Sequence, residues 1–245
     1  MRTVAIIQAR ISSTRLPGKV LLMLADKTVL AHVIERCQGA HLIDEVIVAT
    51  TTKTADDPIE HEAKKYHIPC YRGSEDDVLR RYYEAAKTHH ADKVVRITSD
   101  CPVLDPVVMN QVVSRFMDEP VVDYCSNTLE RSFPRGLDTE VFSFDALEKA
   151  FIQANKSEER EHVTPYIYKN PRQFKLRSYE NDVDFSNYRW TLDTEADWQL
   201  ITEIFRFLYT PGQLFYWQKV IQLMQQHPEL ALINAHVEQK KLGEL

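Results

Sequence analysis

The segment Gln8-Ala9-Arg10-Ile11-Ser12-Ser13-Thr14-Arg15-Leu16-Pro17-Gly18-Lys19 carries three cations, three hydroxyl side chains and no acid. That combination suits a polyphosphate: Arg and Lys neutralise charge, while hydroxyls and backbone N–H groups fix direction. It is neither of two familiar phosphate loops. G-x-x-x-x-G-K-[ST] fails because Ser13 stands where its first glycine would be and Val20 where its hydroxyl would be. G-x-G-x-x-G is absent from a chain with only six glycines. Spacing alone also fits an exposed basic loop that aids solubility. Its place directly after an apolar run, Val4–Ala9, favours phosphate binding by Ala9, Arg10, Ser12, Ser13, Arg15 and Lys19.

Two aspartates complement those cations. Asp100 follows the apolar run at Lys93–Thr98, and Asp193 follows Trp190-Thr191-Leu192. An Asp at a strand-to-helix turn commonly caps the helix, but better caps lie nearby. Asp105-Pro106 can open the helix after Asp100, and Thr194 with Asp197 forms a capping box that leaves Asp193 outside. Both carboxylates are then expected to project from one edge of the sheet. Mg²⁺ is typically held by one or two carboxylates plus substrate phosphates, so Asp100 and Asp193 are the expected metal ligands.

The twelve-residue segment resembles the nucleotide-binding signature of the cytidylyltransferases that make CMP-KDO and CMP-sialic acid. Over nearly its full length the chain is similar to the bacterial spore-coat polysaccharide proteins of the SpsF type. Sugar nucleotidyltransferases of the glycine-rich kind carry a Gly-x-Gly turn here. Arg10 and Ser12 replace it, which favours the CMP-transferring branch. The resemblance implies a Rossmann-like nucleotidyltransferase fold, CTP and a small sugar-like or sugar-acid acceptor as partners, Mg²⁺ as cofactor, and a homodimer. Asp100 and Asp193 match the family's metal positions in S-D-x-P and L-D-T-x-x-D.

By the same resemblance Arg72, Gly73 and Ser74 lie beside the base or ribose. A turn followed by a helix start explains that segment equally, with Glu75, Asp76 and Asp77 complementing the helix dipole. The segments Phe133–Glu140 and Arg160–Tyr166 resemble acceptor-site linings. Arg135 and His162 are thereby candidates for an acceptor carboxylate or phosphate, and Asp138 and Glu140 for hydroxyls; each also suits a loop or a subunit interface. Asp182-Val183-Asp184 is a lone D-x-D that reads as surface charge. Two rival functions remain: a glycosyltransferase using that D-x-D, and a non-catalytic nucleotide-binding module.

The elements that must position these groups alternate along the chain. Val4–Ala9, Glu45–Thr50, His67–Arg72 and Lys93–Thr98 read as strands, and Val29, Leu30, Val33, Ile34 and Cys37 share one helical face. Helices are expected to open at Asp57-Pro58, at Ser74 with Asp77 and at Asp105-Pro106. The pattern predicts an α/β fold: a three-layer, mostly parallel sheet with helices on both faces, whose ligands sit beyond the carboxyl ends of the strands. Residues 129–184, with a strand at Glu140–Phe144, a helix near Ser157–Lys169 and a strand at Gln173–Tyr179, are expected as a smaller protruding subregion. A strand at Tyr188–Leu192, a helix from Thr194 and helices at Phe215–Gln226 and Pro228–His236 complete one domain, 1–245.

Composition sets the outer bounds. The formal net charge is -6, which argues against a nucleic-acid wrapper with its basic face. Residues 1–25 hold Arg2, Arg10, Arg15 and Lys19 and no acid, whereas the rest of the chain holds 26 cations and all 36 acids. A small anion-binding mouth on an acidic body has this distribution. Cys37, Cys70, Cys101 and Cys125 are scattered and form no C-x-x-C pair, which fits a reducing, cytoplasmic setting better than zinc or disulfides. No apolar run approaches the roughly 18 residues of a membrane span, so no membrane partner is expected.

Overall fold

The computed structural model describes residues 1–118 and 121–239. Its centre is β1 (Thr3–Gln8), whose apolar residues alternate between two cores. Val4 and Ile6 face one and Ala5 and Ile7 the other, all four fully buried. A strand buried on both faces must be apolar throughout, which is why the run does not alternate with polar residues. A fully buried Val or Ile side chain contributes about 1.5–3 kcal/mol.

Around β1 stand β4 (Glu45–Thr51), β5 (Cys70–Gly73) and β6 (Lys93–Thr98), all parallel, in the order β5-β4-β1-β6. A two-residue hairpin, β2 (Met23–Leu24) and β3 (Lys27–Thr28), precedes helix α1 (Val29–Gln38). Helix α2 (Asp57–Lys65) links β4 to β5, and α3 (Val78–Thr88) links β5 to β6. The chain leaves β1 toward β4 on one side and returns to β6 on the other. The loops after β1 and β6 therefore flank a topological switch point, where α/β sheets open a crevice for ligands.

The sheet continues through β8 (Glu140–Ser143), antiparallel to β6, then β7 (Tyr124–Ser126) and β9 (Leu176–Ser178). Residues 129–184 thus contribute two strands, β8 and β9, to the main seven-stranded sheet. Helix α4 (Pro106–Met117) leads into β7, and Asp105 caps it by accepting from Val107 and Val108 N–H at 2.8 and 3.2 Å. Helix α5 (Phe144–Gln153) packs on α3, where the Tyr83 and Phe151 rings stack at 4.3 Å.

The helix expected across Ser157–Lys169 is broken into α6 (Ser157–His162) and α7 (Pro165–Tyr168). Between them Val163 takes φ 73°, ψ -57°, and Thr164 N–H donates back to the His162 carbonyl at 2.9 Å. That is a three-residue γ-turn of the strained, positive-φ kind. The last elements are α8 (Glu195–Leu208), α9 (Trp217–Gln226) and α10 (Pro228–Leu232). No helix among the described residues is long and apolar enough to cross a membrane.

Tyr188–Leu192, expected as a strand, is an extended segment with only an isolated bridge, Arg135 to Arg189. Trp190 N–H donates to the Arg135 carbonyl at 2.7 Å, and Leu192 N–H to the Asp100 carbonyl at 2.8 Å. Gly136 makes this approach possible. Its φ is 102°, and a Cβ there would lie 2.6 Å from both the carbonyl carbon and the oxygen of Trp190. Only glycine fits. Gly136→Ala is therefore expected to cost about 2 kcal/mol or more, from strained backbone plus a displaced segment, read as a lower urea midpoint.

Candidate active site

The basic half of the site begins where β1 ends. Ala9 N–H extends the ladder to the Ala49 carbonyl at 3.1 Å, and the chain then turns back on itself. Ser13 and Gly18 N–H both donate to the Ile11 carbonyl, at 2.9 and 3.1 Å. Gly18 takes φ 71° and delivers Lys19 into a short 3₁₀ turn, Lys19–Leu21. Asp56, which no sequence motif singled out, anchors the loop. Its buried carboxylate accepts from Ile11 N–H at 2.7 Å and from the Thr51 hydroxyl, and provides no side-chain cap for α2.

The acidic half stands opposite. Asp100 lies just past β6, where Ser99 N–H donates to the Gln8 carbonyl at 3.1 Å. Asp193 sits directly before α8. Thr194 caps that helix, and Asp197 completes the capping box while also accepting from Asp193 N–H at 3.0 Å. Asp197 is fully buried and bound by Arg189 Nε at 2.9 Å and Asn234 Nδ2 at 2.8 Å. Arg189 then reaches Asp193 Oδ2 through Nη2 at 2.7 Å. Arg189 and Asn234 were not legible as site-supporting residues, because their partners come from a helix start and a distant tail.

The two halves meet at Lys19. Its ammonium donates to Asp100 Oδ2 at 2.9 Å, to Asp193 Oδ1 at 2.8 Å and to the Leu192 carbonyl at 2.7 Å. Arg15 adds a contact to Asp193 Oδ2 at 3.3 Å. The fold thus brings Arg15, Lys19, Asp100 and Asp193 to one point. Burial alone would push the Asp100 carboxyl up. The Lys19 charge and hydrogen bonds from Lys19 and Thr98 together outweigh it and hold the group at about 2. Burial would likewise lower the Lys19 ammonium, but Asp100 and Asp193 together raise it well above its ordinary value.

The Lys19 ammonium is itself a stand-in cation. Two carboxylate oxygens and one carbonyl converge on it, a hard-oxygen donor set of the kind Mg²⁺ takes. Among the described residues no cluster of three or more His, Cys, Asp or Glu side chains could hold a metal. Further ligands would have to come from phosphate and water.

The remaining candidates fall into two groups. Arg10 and Ser12 are exposed on the loop rim, and Ser12 Oγ donates to Glu75 Oε1 at 3.2 Å, next to the Lys53–Glu75 ion pair. The loop after β1 therefore touches the 72–75 turn. Within that turn Gly73 is packed tightly, a Cβ there meeting the Tyr71 ring at 3.0 Å. Ser74 Oγ accepts from Asp77 N–H at 3.1 Å, while the cap of α3 is Asp77 itself, accepting from Arg80 N–H at 2.9 Å.

Arg72 is engaged by four neighbours. It donates to the Thr51 and Lys53 carbonyls at 2.9 and 2.7 Å and to Asp57 and Glu60 at 2.7 and 3.0 Å. Those bonds commit its guanidinium to fastening the β4–α2 connection. Glu140 is likewise engaged within the fold. It is buried, takes hydrogen bonds from Tyr124 at 2.7 Å and Thr164 at 2.5 Å, and pairs with Arg96. An acceptor hydroxyl would have to displace one of these partners. Asp138 is held in a two-bond fork by Arg131 at 2.6 and 2.8 Å.

His162 ends α6 at the γ-turn, half-buried, its imidazole lowered by burial. Arg135 lines a cavity of about 130 Å³ with Arg189, Asn187 and Asn234. Its guanidinium makes no hydrogen bond or ion pair with the described residues. Asp182 and Asp184 lie exposed, and Asp184 only closes a local turn through Ser186 N–H at 2.8 Å.

A basic loop after β1 thus faces a carboxylate pair, Asp100 beyond β6 and Asp193 before α8, on an α/β sheet. Comparison with known proteins places the chain further. Residues 4–234 match the cytidylyltransferase family, and the chain belongs to it. An uncharacterised protein of Methanocaldococcus jannaschii is 37% identical, over 100% of this chain and 99% of its own. The spore coat polysaccharide biosynthesis protein SpsF of Bacillus subtilis is 32% identical, over 82% of this chain and 85% of its own. The solved cytidylyltransferase of Leptospira borgpetersenii superposes with a TM-score of 0.90 at 33% identity, covering 98% of this chain and all of that one.

The Asp100 shift sets a pH dependence in the metal-free, nucleotide-free protein. A carboxyl lowered in the folded state adds stability above its unfolded value, near 4, and loses it as pH falls toward about 2. In acid titrations followed by circular dichroism, Asp100→Asn is expected to show a flatter loss of stability between those limits than wild type.

Proposed function

We propose that this chain transfers CMP from CTP to a hydroxyl or other oxygen of a sugar-like or sugar-acid acceptor, releasing pyrophosphate. The observation that carries the reading is the convergence of Asp100 and Asp193 on one cationic point, with Arg15 and Lys19 beside them from the loop after β1. Membership of the cytidylyltransferase family supports CTP as donor, and the likeness to SpsF supports a polysaccharide-building context. The acceptor belongs to this proposal and not to the family assignment.

In this reading the acceptor oxygen attacks the α-phosphorus, the bond from that phosphorus to the bridging oxygen breaks, and pyrophosphate leaves. Arg10, Arg15 and Lys19 hold the β- and γ-phosphates and offset the charge that collects on the leaving group. Asp100 and Asp193 hold Mg²⁺, which when bound neutralises phosphate charge. Arg189 and Asp197 keep the Asp193 carboxylate fixed. Arg135 and His162 contact the acceptor. Phosphoryl-type transfer relies mainly on positioning and electrostatics, so the arrangement has no need of a strong base.

The test is pyrophosphate release from each nucleoside triphosphate with Mg²⁺ and a panel of sugar and sugar-acid acceptors. CTP is expected to be turned over and the others not. Asp100→Asn and Asp193→Asn should fold and lose turnover by about 10²-fold or more. Arg15→Ala should chiefly weaken CTP binding in calorimetric titration. Wild-type turnover in both aspartate variants would overturn the assignment.

A further inference from the structure

Lys19 is fully spent in the nucleotide-free protein. An ammonium has three N–H donors, and those of Lys19 go to Asp100, Leu192 and Asp193 at 2.9, 2.7 and 2.8 Å. It cannot hold phosphate without releasing carboxylate. The same two carboxylates cannot take a metal while the ammonium lies between them. Mg²⁺ needs its oxygens at about 2.0–2.1 Å, in the space that Nζ fills.

The charges lead to the same conclusion. Lys19, Arg15 and Arg189 face Asp100, Asp193 and Asp197, cation for anion. A divalent cation added to this balanced set leaves two positive charges in excess. A triphosphate supplies the missing negative charge and offers Lys19 a new partner.

We propose that Lys19 is an exchangeable internal cation. Its ammonium closes the Asp100–Asp193 pair before substrate arrives and moves to the incoming phosphates, so the metal site opens only together with the nucleotide. Resting on the reading above, this adds a binding order: metal alone is resisted, and metal with nucleotide is favoured. Each ligand then tightens the other by the same factor.

The experiment measures Mn²⁺ binding from the electron paramagnetic resonance signal of the free ion, for wild type, Lys19→Met and Lys19→Gln. Each is titrated alone and with the α,β-methylene analogue of CTP, which cannot react. Wild type is expected to bind Mn²⁺ weakly alone and at least about tenfold more tightly with the analogue. Both Lys19 variants should bind Mn²⁺ alone about tenfold more tightly than wild type and lose most of the gain from the analogue. Their melting temperatures should rise with Mn²⁺ alone, because the metal replaces a lost counter-charge, whereas that of wild type should not. The melting curves also report whether the variants fold.

If folded variants bind Mn²⁺ alone no more tightly than wild type, exchange is overturned while the metal assignment survives. If wild type binds no Mn²⁺ even with the analogue, the metal assignment falls and exchange with it.

Discussion

Two carboxylates held close together in a partly buried cleft repel one another, and in this protein one lysine bridges them while Arg15 and Arg189 add charge at Asp193. Asp100 arrives from the loop beyond β6 and Asp193 from the start of α8. Leu192 N–H holds the second segment against the Asp100 carbonyl, and Asp193 N–H is fastened to the Asp197 carboxylate. Without a cation between them the two segments would be driven apart. With one, they close the crevice at the switch point of the sheet.

The support is graded in cost. A buried charge is tolerated only when paired and hydrogen-bonded. Asp197, with no exposed surface, has Arg189, Asn234 and the capping-box hydroxyl. Asp193 stands nearer solvent and shares Arg189, Arg15 and Lys19. Polar groups thus pass from structural to functional across one helix turn, and Arg189 is common to both. On the opposite wall Asp56 serves the basic loop as Asp197 serves the acid half.

Much of this was legible in the sequence. The strands around β1 were readable because a doubly buried strand must be apolar along its length. The helix starts at Asp105 and Thr194 were readable because capping depends on neighbours only one to three residues away. Placing Asp100 and Asp193 outside those caps followed from the same local rule. What escaped depends on distant partners. Arg72 and Glu140 sit within motifs, yet Arg72 fastens the β4–α2 connection and Glu140 pairs with Arg96 across β8 and β6. The γ-turn at Val163 escaped because nothing local favours a β-branched residue at positive φ; tertiary packing imposes it. The segment 188–192 has a strand's apolar pattern, yet its extended course is held by a lone bridge and a loop around Gly136, not by a ladder.

The capping box of α8 has one more implication. Asp197 orders the first turn of a fourteen-residue helix and, through the Asp193 amide and Arg189, the carboxylate that faces the crevice. Chain registration and active-site geometry are thereby locked in common. One residue inserted or deleted between 193 and 197 would unseat both at once.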